Sequence, residues 1–314
     1  FLYGMMLMGN GLKGVAGSRL ELILYRLCGT PLRGILLGTG VTAVIQSSSA
    51  TSIMVVGFVN SGMMKVRQAI GVVLGAILGT SITGWIICLS DLGGSSSGWV
   101  RLLSTATLTG VVAVAGIILT MFCKKRVRRQ LGEILMGFAI LMTGMAAMSA
   151  SVEPLRDSPV FLSMLTTFSN PIIGILVGMG ITCILQSSSA TIGILQALSV
   201  TGVITFGVAF PIIMGIAIGA AVPVLLSALG AGVNGKRTAF VYLLIDLIGA
   251  VFWSAVFYTV NLFAHFPFLE STVGMVDIAL INTVFRLATV LLLAPATGIL
   301  EKVVARIFPE SAED

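Results

Sequence analysis

Hydrophobic residues along this chain come in long blocks, with prolines, serine-rich stretches and charged clusters lying between or inside them. Reading the blocks against these breakers predicts helices throughout. The first covers roughly 1–16 and is followed by a short segment, SRLELILYRLC, in which Ser18 and Glu21 are spaced as a capping box. The block 31–62 is too short for two full membrane crossings and is interrupted in its middle by QSSSAT. Full-length apolar runs follow at about 66–90 and 99–122, and KKRVRR, from Lys124 to Arg129, ends the first half.

The second half repeats this order. It has a helix at about 131–150, then a short segment beginning SPVFLSML, with Ser158 as N-cap and Pro159 at the first helical position. A broken block at 171–202 and runs at about 205–230 and 238–264 come next, and a last apolar segment, roughly 275–300, has no counterpart. GILLGTGVTAVIQSSSAT from Gly34 returns 140 positions later as GILVGMGITCILQSSSAT from Gly174. Thr30-Pro31 and Asn170-Pro171 open the broken blocks as cap-plus-proline starts, and Gly34, Gly38, Gly40 and Gly62 recur as Gly174, Gly178, Gly180 and Gly202. The chain is an internal duplication. It divides into a first repeat at 1–123 with its hairpin at 31–62, a basic linker at 124–130, a second repeat at 131–264 with its hairpin at 171–202, and a C-terminal helix and tail at 265–314.

Composition places these helices in lipid. Hydrophobic residues make up 57% of the chain and charged residues 10%, with a mean hydropathy of +1.09. A soluble domain carries about 25% charged residues. The formal charge of +6 comes from short clusters at segment ends, the pattern of topology signals and not of a nucleic-acid surface. The run from Phe1 is shorter than the roughly 20 residues a crossing needs. It lacks the n-region and cleavage site of a signal peptide, so it is expected to continue a transmembrane helix that begins upstream. Cys28, Cys88, Cys123 and Cys183 show no metal-ligand spacing and read as small buried hydrophobes.

Charge also orients the chain. With Lys124–Arg129 in the cytoplasm and 31–62 a re-entrant hairpin, Lys13, Arg19, Arg26, Arg33, Lys65 and Arg67 all fall inside, and the loop Asp91–Gly98 falls outside. Lys236, Arg237, Lys302 and Arg306 then also lie inside, while Glu153 and Asp157 flank the second hairpin outside, with Arg156 the nearby exception. Three crossings per half invert the second half relative to the first. The predicted class is an all-α polytopic membrane protein, an inverted-repeat transporter with two re-entrant hairpins and about seven full crossings.

QSSSAT forms each hairpin turn. Backbone at a turn inside hydrocarbon must line a cavity or be buried in protein. Ser47–Ser49 and Ser187–Ser189 can cap the returning arms, leaving N–H groups at a positive helix end, which suits an anion. Gln46 and Gln186 add carboxamides with donors and an acceptor, and carbonyls ending the entering arms suit a hard cation such as Na⁺. Serine clusters in membrane helices also cap breaks or bind helices together without any ligand.

The doubled QSSSAT inside apolar hairpins resembles the type II sodium-dependent phosphate cotransporter family, particularly its bacterial members, over nearly the whole chain. The resemblance implies Na⁺-coupled uptake of inorganic phosphate by alternating access, elevator-like by analogy with similarly built transporters, at the bacterial inner membrane. It maps the paired sites onto Gln46–Thr51 and Gln186–Thr191. Phosphate falls to Gln46, Ser47, Ser48, Ser49, Gln186, Ser187, Ser188 and Ser189, and sodium to Gln46, Ser49, Thr51, Gln186, Ser189 and Thr191, joined by Thr80 and Ser81. The lipid bilayer is the remaining partner, and the class admits a homodimer. Many bacterial relatives carry a PhoU-like domain after the membrane part, and ESAED is expected to lie just before one, with the C-terminus cytoplasmic. The family tends to carry a GANIGTT-like stretch after each hairpin. Here GAILGTS keeps Thr80 and Ser81 but has Ile77 in place of Asn, and GIAIGAA has Ala217, Ala220 and Ala221 at the polar positions, so fewer oxygen ligands are available.

Another small anion, such as a carboxylate, fits the same architecture, and a channel-like protein also uses re-entrant loops. An enzyme is not expected, since no base lies beside the serines. Asp246 and Arg286 sit inside apolar runs, where a charge is costly and marks either pairing or function. His265, the single histidine, is expected at the outer surface.

Overall fold

The computed structural model describes residues 1–16, 30–89 and 105–309. In chain order its helices are α1 (Leu2–Ala16), α2 (Pro31–Ile45), α3 (Ser48–Asn60), α4 (Val66–Gly79), α5 (Ser81–Cys88), α6 (Thr105–Phe122), α7 (Arg126–Val152) and α8 (Pro159–Phe168). Then follow α9 (Pro171–Leu185), α10 (Ser188–Ser199), α11 (Phe206–Gly219), α12 (Val222–Ser227), α13 (Val233–Ala264), α14 (Met275–Leu293) and α15 (Thr297–Ile307). Among the described residues there is no strand, and five spans are long and apolar enough to cross a membrane: Val66–Cys88, Arg126–Leu155, Phe206–Ser227, Val233–Ala264 and Met275–Leu293. The chain is an all-α polytopic membrane protein. The capping box at Ser18 and Glu21, Cys28 and the loop Asp91–Gly98 lie outside the described residues. Because α7 begins at Arg126, only 123–125 are non-helical in the basic segment between α6 and α7.

Both broken blocks start as their local chemistry dictates. Thr30 is extended and its Oγ1 accepts from the Arg33 amide at 3.4 Å, with Pro31 at N1. Asn170 Oδ1 accepts from the Ile172 and Ile173 amides at 3.0 and 3.4 Å, with Pro171 at N1. Proline fits there because its missing N–H would have no helical partner anyway. Each entering arm has 15 residues, about 22 Å of helix, well short of the ~30 Å hydrocarbon core.

The chain then folds back. Thr42 and Thr51 are nine residues apart, about 13 Å along a continuous helix, yet their hydroxyls meet at 3.0 Å. Thr182 and Thr191 meet in the same way at 3.1 Å. After α3 the chain turns at Gly62, whose φ of +74 suits glycine, and α4 sets off alongside α2 in the same direction. Gly71 packs on Pro31, Gly75 on Ile35 and Gly79 on Thr42. Gly202, with φ +70, makes the equivalent turn in the second half.

The α2–α4 contact is a close backbone approach. A Cβ on Gly38 would strike the Val72 carbonyl, and one on Gly178 would strike that of Ile212, 140 positions on. Hence α9 and α11 repeat the α2–α4 packing. The outward faces of the arms stay apolar: Leu32 and Leu36 in α2, and Ile172 and Leu176 in α9, are all exposed. Such faces suit a hydrocarbon solvent.

Two of the full-length apolar runs are interrupted. The run at 66–90 divides at Thr80 and that at 205–230 divides at Ala220–Ala221, within GAILGTS and GIAIGAA. In the first, Thr80 Oγ1 returns to the Ala76 carbonyl at 3.2 Å and competes with the backbone ladder. In the second, Pro223 brings no N–H to continue the ladder across the break. Elsewhere α1 and α7 pack antiparallel: Phe1 lies against Gly144, Gly4 against Leu141 and Met8 against Gly137. The unrepeated α14 runs antiparallel to α5, with Trp85 donating to Thr283 at 2.9 Å and Ala279 beside Gly84.

Candidate functional site

Each hairpin turn is two residues long and is built the same way. Gln46 and Gln186 end the entering arms in the left-handed region, at φ 59 and 52, their amides bonding back to Thr42 and Thr182. Ser47 and Ser187 are extended N-caps, each accepting from the amide three residues on, Ala50 or Ala190, at 3.2 Å. Thr51 and Thr191 donate to the Ser47 and Ser187 carbonyls at 3.1 Å and meet Thr42 and Thr182 across the hairpin. The amides of Ser48, Ser49, Ser188 and Ser189 open the returning helices and have no helical acceptor.

A left-handed C-cap is the place where glycine costs least. Both turns nevertheless carry glutamine there, so each side chain is kept at a conformational cost. That cost, met twice, is the strongest sign that the carboxamides have a task.

The surroundings of the two turns differ. Gln46 is buried, donates to the Ala43 carbonyl and accepts a 2.8 Å hydrogen bond from Thr83 on α5. Ser48 Oγ lies 3.0 Å from the Tyr242 hydroxyl on α13, and Ser48 is buried. In the second half Pro223 stands where Thr83 stands in the first and offers no donor, and Gln186 is exposed, its side chain bonding to no described residue. Ser188 and Ser189 are buried and their hydroxyls bond to no described residue. Ser49 and the two capping serines are half-buried.

The predicted residues therefore form two local clusters, Gln46–Thr51 and Gln186–Thr191, and no hydrogen bond joins one to the other among the described residues. Helix α5 stands between them. Its Thr83 holds Gln46, while its Gly84 carbonyl accepts from Gln196 of α10 at 3.1 Å and the same glycine faces Ile192. Of the two residues expected from GAILGTS, Thr80 spends its hydroxyl on Ala76, whereas the buried Ser81 hydroxyl has no partner. Among the described residues no three His, Cys, Asp or Glu side chains gather into a metal cluster. Any cation at the turns would meet neutral hydroxyl, carboxamide and carbonyl oxygens, the ligands of a hard cation.

Thr83 and Tyr242 are the neighbours that sequence reading passed over. Thr83 lies two residues after GAILGTS, and Tyr242 sits in a run whose hydrophobicity gives no hint of a partner. Asp246 and Arg286, singled out for their charge, come within 4.0 Å of each other and are both buried. His265 is exposed, and of the cysteines expected to be buried Cys88 is, its thiol donating to the Met275 carbonyl at 3.4 Å, whereas Cys123 and Cys183 are only half-buried.

Comparison with known proteins finds relatives along the chain. The family model described as Na⁺/Pi-cotransporter matches residues 1–150 and 153–280. The "Uncharacterized protein YqeW" of Bacillus subtilis is 26% identical over 98% of this chain and 95% of its own length. The "Putative inorganic phosphate export protein YjbB" of Escherichia coli is 26% identical over 80% of this chain, which spans only 44% of that relative. The human "Sodium-dependent phosphate transport protein 2B" is 44% identical over 21% of this chain and 10% of its own. No solved structure matches. With the family model covering most of its length, this chain belongs to the Na⁺/Pi-cotransporter family.

Proposed function

We propose that this protein couples Na⁺ entry to the movement of inorganic phosphate across the bacterial inner membrane, and that the two QSSSAT turns are its binding site. The observation that carries the reading is the glutamine held twice in a left-handed cap beside unbonded serine hydroxyls. Gln46, Ser47, Ser48 and Ser49, with Gln186, Ser187, Ser188 and Ser189, bind the phosphate through helix N-termini, hydroxyls and carboxamides. Gln46, Ser49, Thr51, Thr80, Ser81, Gln186, Ser189 and Thr191 supply oxygens to Na⁺, with the last carbonyls of α2 and α9.

In this reading 31–62 and 171–202 are re-entrant hairpins entering from opposite faces, and the two halves are inverted. The antiparallel packing of α1 on α7 and the parallel course of α2 and α4 support it. Cargo and ion meet between the turns, and a hairpin-bearing part moves against the rest to change the side of access. The C-terminus is cytoplasmic. Inward transport is the primary reading; the YjbB relative is named for export, which favours outward movement as a second.

Proteoliposomes given radiolabelled phosphate, with sodium or choline on either side, test both. The expected result is accumulation that requires sodium and is lost in Ser48→Ala and Ser188→Ala proteins that still elute as monodisperse species. Full uptake by both variants sinks the site assignment. Accumulation without any sodium sinks the coupling, and the compartment that gains phosphate gives the direction.

A further inference from the structure

Beside the first turn lies a polar cluster that the binding reading above does not use. Asp246 is one turn beyond Tyr242 on α13, and Arg286 is one turn beyond Asn282 on α14, so each pair shares a helix face. Asp246 is 1% exposed and Arg286 0%. Arg286 donates from Nε to Asn282 Oδ1 at 3.0 Å and from Nη1 to the Ile77 carbonyl at 3.4 Å. Its Nη1 stays 4.0 Å from Asp246 Oδ1, beyond hydrogen-bond length.

Among the described residues, three atoms of this cluster have no hydrogen-bond partner: Asp246 Oδ2, Arg286 Nη2 and Asn282 Nδ2. A buried ion pair that served only as an anchor needs its remaining lone pairs and protons satisfied, since unpaired charged atoms are the costly ones. Here two donors and one acceptor are left open together. The Ser81 hydroxyl, also without a partner among the described residues, is one turn before Gly84 and Trp85 of α5, which meet Ala279 and Thr283 of α14. Tyr242, sharing a helix face with Asp246, bonds Ser48 at the turn.

We propose that Asp246, Arg286 and Asn282 form an oxyanion-recognition subsite beside the first hairpin turn, selecting tetrahedral anions that carry an acidic proton. Guanidinium and carboxamide N–H groups donate to the anion's oxygens. The open carboxylate oxygen can only accept, so the ligand must donate to it. Both ionic forms of phosphate near neutral pH carry a P–OH, and arsenate carries the equivalent As–OH. Sulfate carries no proton there and would set one bare oxygen against another. A site built to use a ligand's hydroxyl rejects the analogue that lacks it, because its own buried group is then left unpaired. The inference rests on the binding reading above and adds the basis of its anion preference.

The test uses the purified full chain with Asp246→Asn, Asp246→Glu, and the double variant Asp246→Asn/Arg286→Gln, which leaves no charge in the cluster. Thermal stabilisation in sodium-containing detergent buffer is read for phosphate, arsenate and sulfate, alongside competition of phosphate uptake by each anion. Wild type is expected to respond to phosphate and arsenate and to ignore sulfate. Asp246→Asn, whose amide can donate to sulfate, is expected to lose about ten- to a hundredfold of the phosphate-over-sulfate preference, and Asp246→Glu to keep part of it. The double variant is expected to fold and to bind phosphate at least tenfold more weakly. A folded Asp246→Asn with wild-type preference overturns the proposal, and should that variant not fold, wild-type phosphate affinity in the double variant does so. Loss of sodium-driven phosphate uptake by wild type itself would instead remove the binding reading, while the stabilisation arm still reports which anion the cluster prefers.

Discussion

Replacing Gln46 or Gln186 by glycine should move stability in opposite directions while both changes reduce transport. The left-handed cap costs a non-glycine residue about 1–2 kcal/mol. Glycine returns about 0.4–1 kcal/mol of that through its greater freedom in the unfolded chain. At Gln186, exposed and without a side-chain hydrogen bond, nothing else is lost, so the substitution stabilises by roughly 0.5–1 kcal/mol. At Gln46 the same relief competes with the Thr83 bond. Thr83 is 1% exposed, and stranding its hydroxyl costs about 1–3 kcal/mol, so Gln46→Gly destabilises by about 1 kcal/mol net. For a protein of this size 1 kcal/mol is about 2 °C in Tm. Thermal unfolding of both purified variants by tryptophan fluorescence should therefore show one rise and one fall, with sodium-dependent phosphate uptake reduced in each. A fall in Gln186→Gly, or equal shifts in the two, would refute the assigned surroundings of the turns. Wild-type uptake by Gln186→Gly would remove that carboxamide from the site.

Three further outcomes test neighbouring contacts. Gly38→Ala puts a methyl into the Val72 carbonyl and should lose about 1–3 kcal/mol and most of the folded yield, whereas Gly40→Ala, with nothing within 4 Å, should express normally. Thr51→Val removes the bonds to Thr42 and the Ser47 carbonyl at a site that is fully buried. It should cost about 1–3 kcal/mol and raise the sodium concentration for half-maximal uptake, and an unchanged sodium curve excludes Thr51 as a ligand. Thr83→Val removes one of the two bonds on the Gln46 carboxamide, leaving that to Ala43, and losing about 1 kcal/mol of positioning should raise KM for phosphate roughly fivefold with little change in folded yield.

The parts of this architecture that could be read from the chain are those set by neighbours in sequence. Thr30-Pro31, Asn170-Pro171 and Ser158-Pro159 start helices because an extended cap and a proline act on the next three amides, and all three do so here. The ends of the entering arms, Ile45 and Leu185, were legible for the same reason. Thr80 breaks its run through a hydroxyl returning four residues to Ala76, but threonine does this in many unbroken helices, so nothing local announced it. Tyr242 and Ser48 are 194 positions apart, and no periodicity within either helix encodes that meeting. Asp246 and Arg286 were conspicuous by cost alone. Their approach depends on α13 and α14 both packing beside α4, which is a property of the assembled helices.

Because the two turns share one backbone, differences between them must come from what surrounds them. Gln46 and Gln186 differ by only a few degrees in φ, and the caps and threonine braces agree within 0.1 Å. Conformational strain therefore cancels when equivalent positions are compared, and the residual effect reports the environment. On the proposed reading, a phosphate reaching the first turn must share or displace the Tyr242 bond to Ser48, worth about 1 kcal/mol. At the second turn the side chains of Ser188, Ser189 and Gln186 have no bond to a described residue to surrender. Binding costs consequently fall on the first half and gains on the second. Tyr242→Phe, which removes one hydroxyl and leaves the ring in place, should thus strengthen phosphate binding in stabilisation assays by a few-fold. A weaker response in that variant would mean that the tyrosine hydroxyl is a ligand and not a competitor.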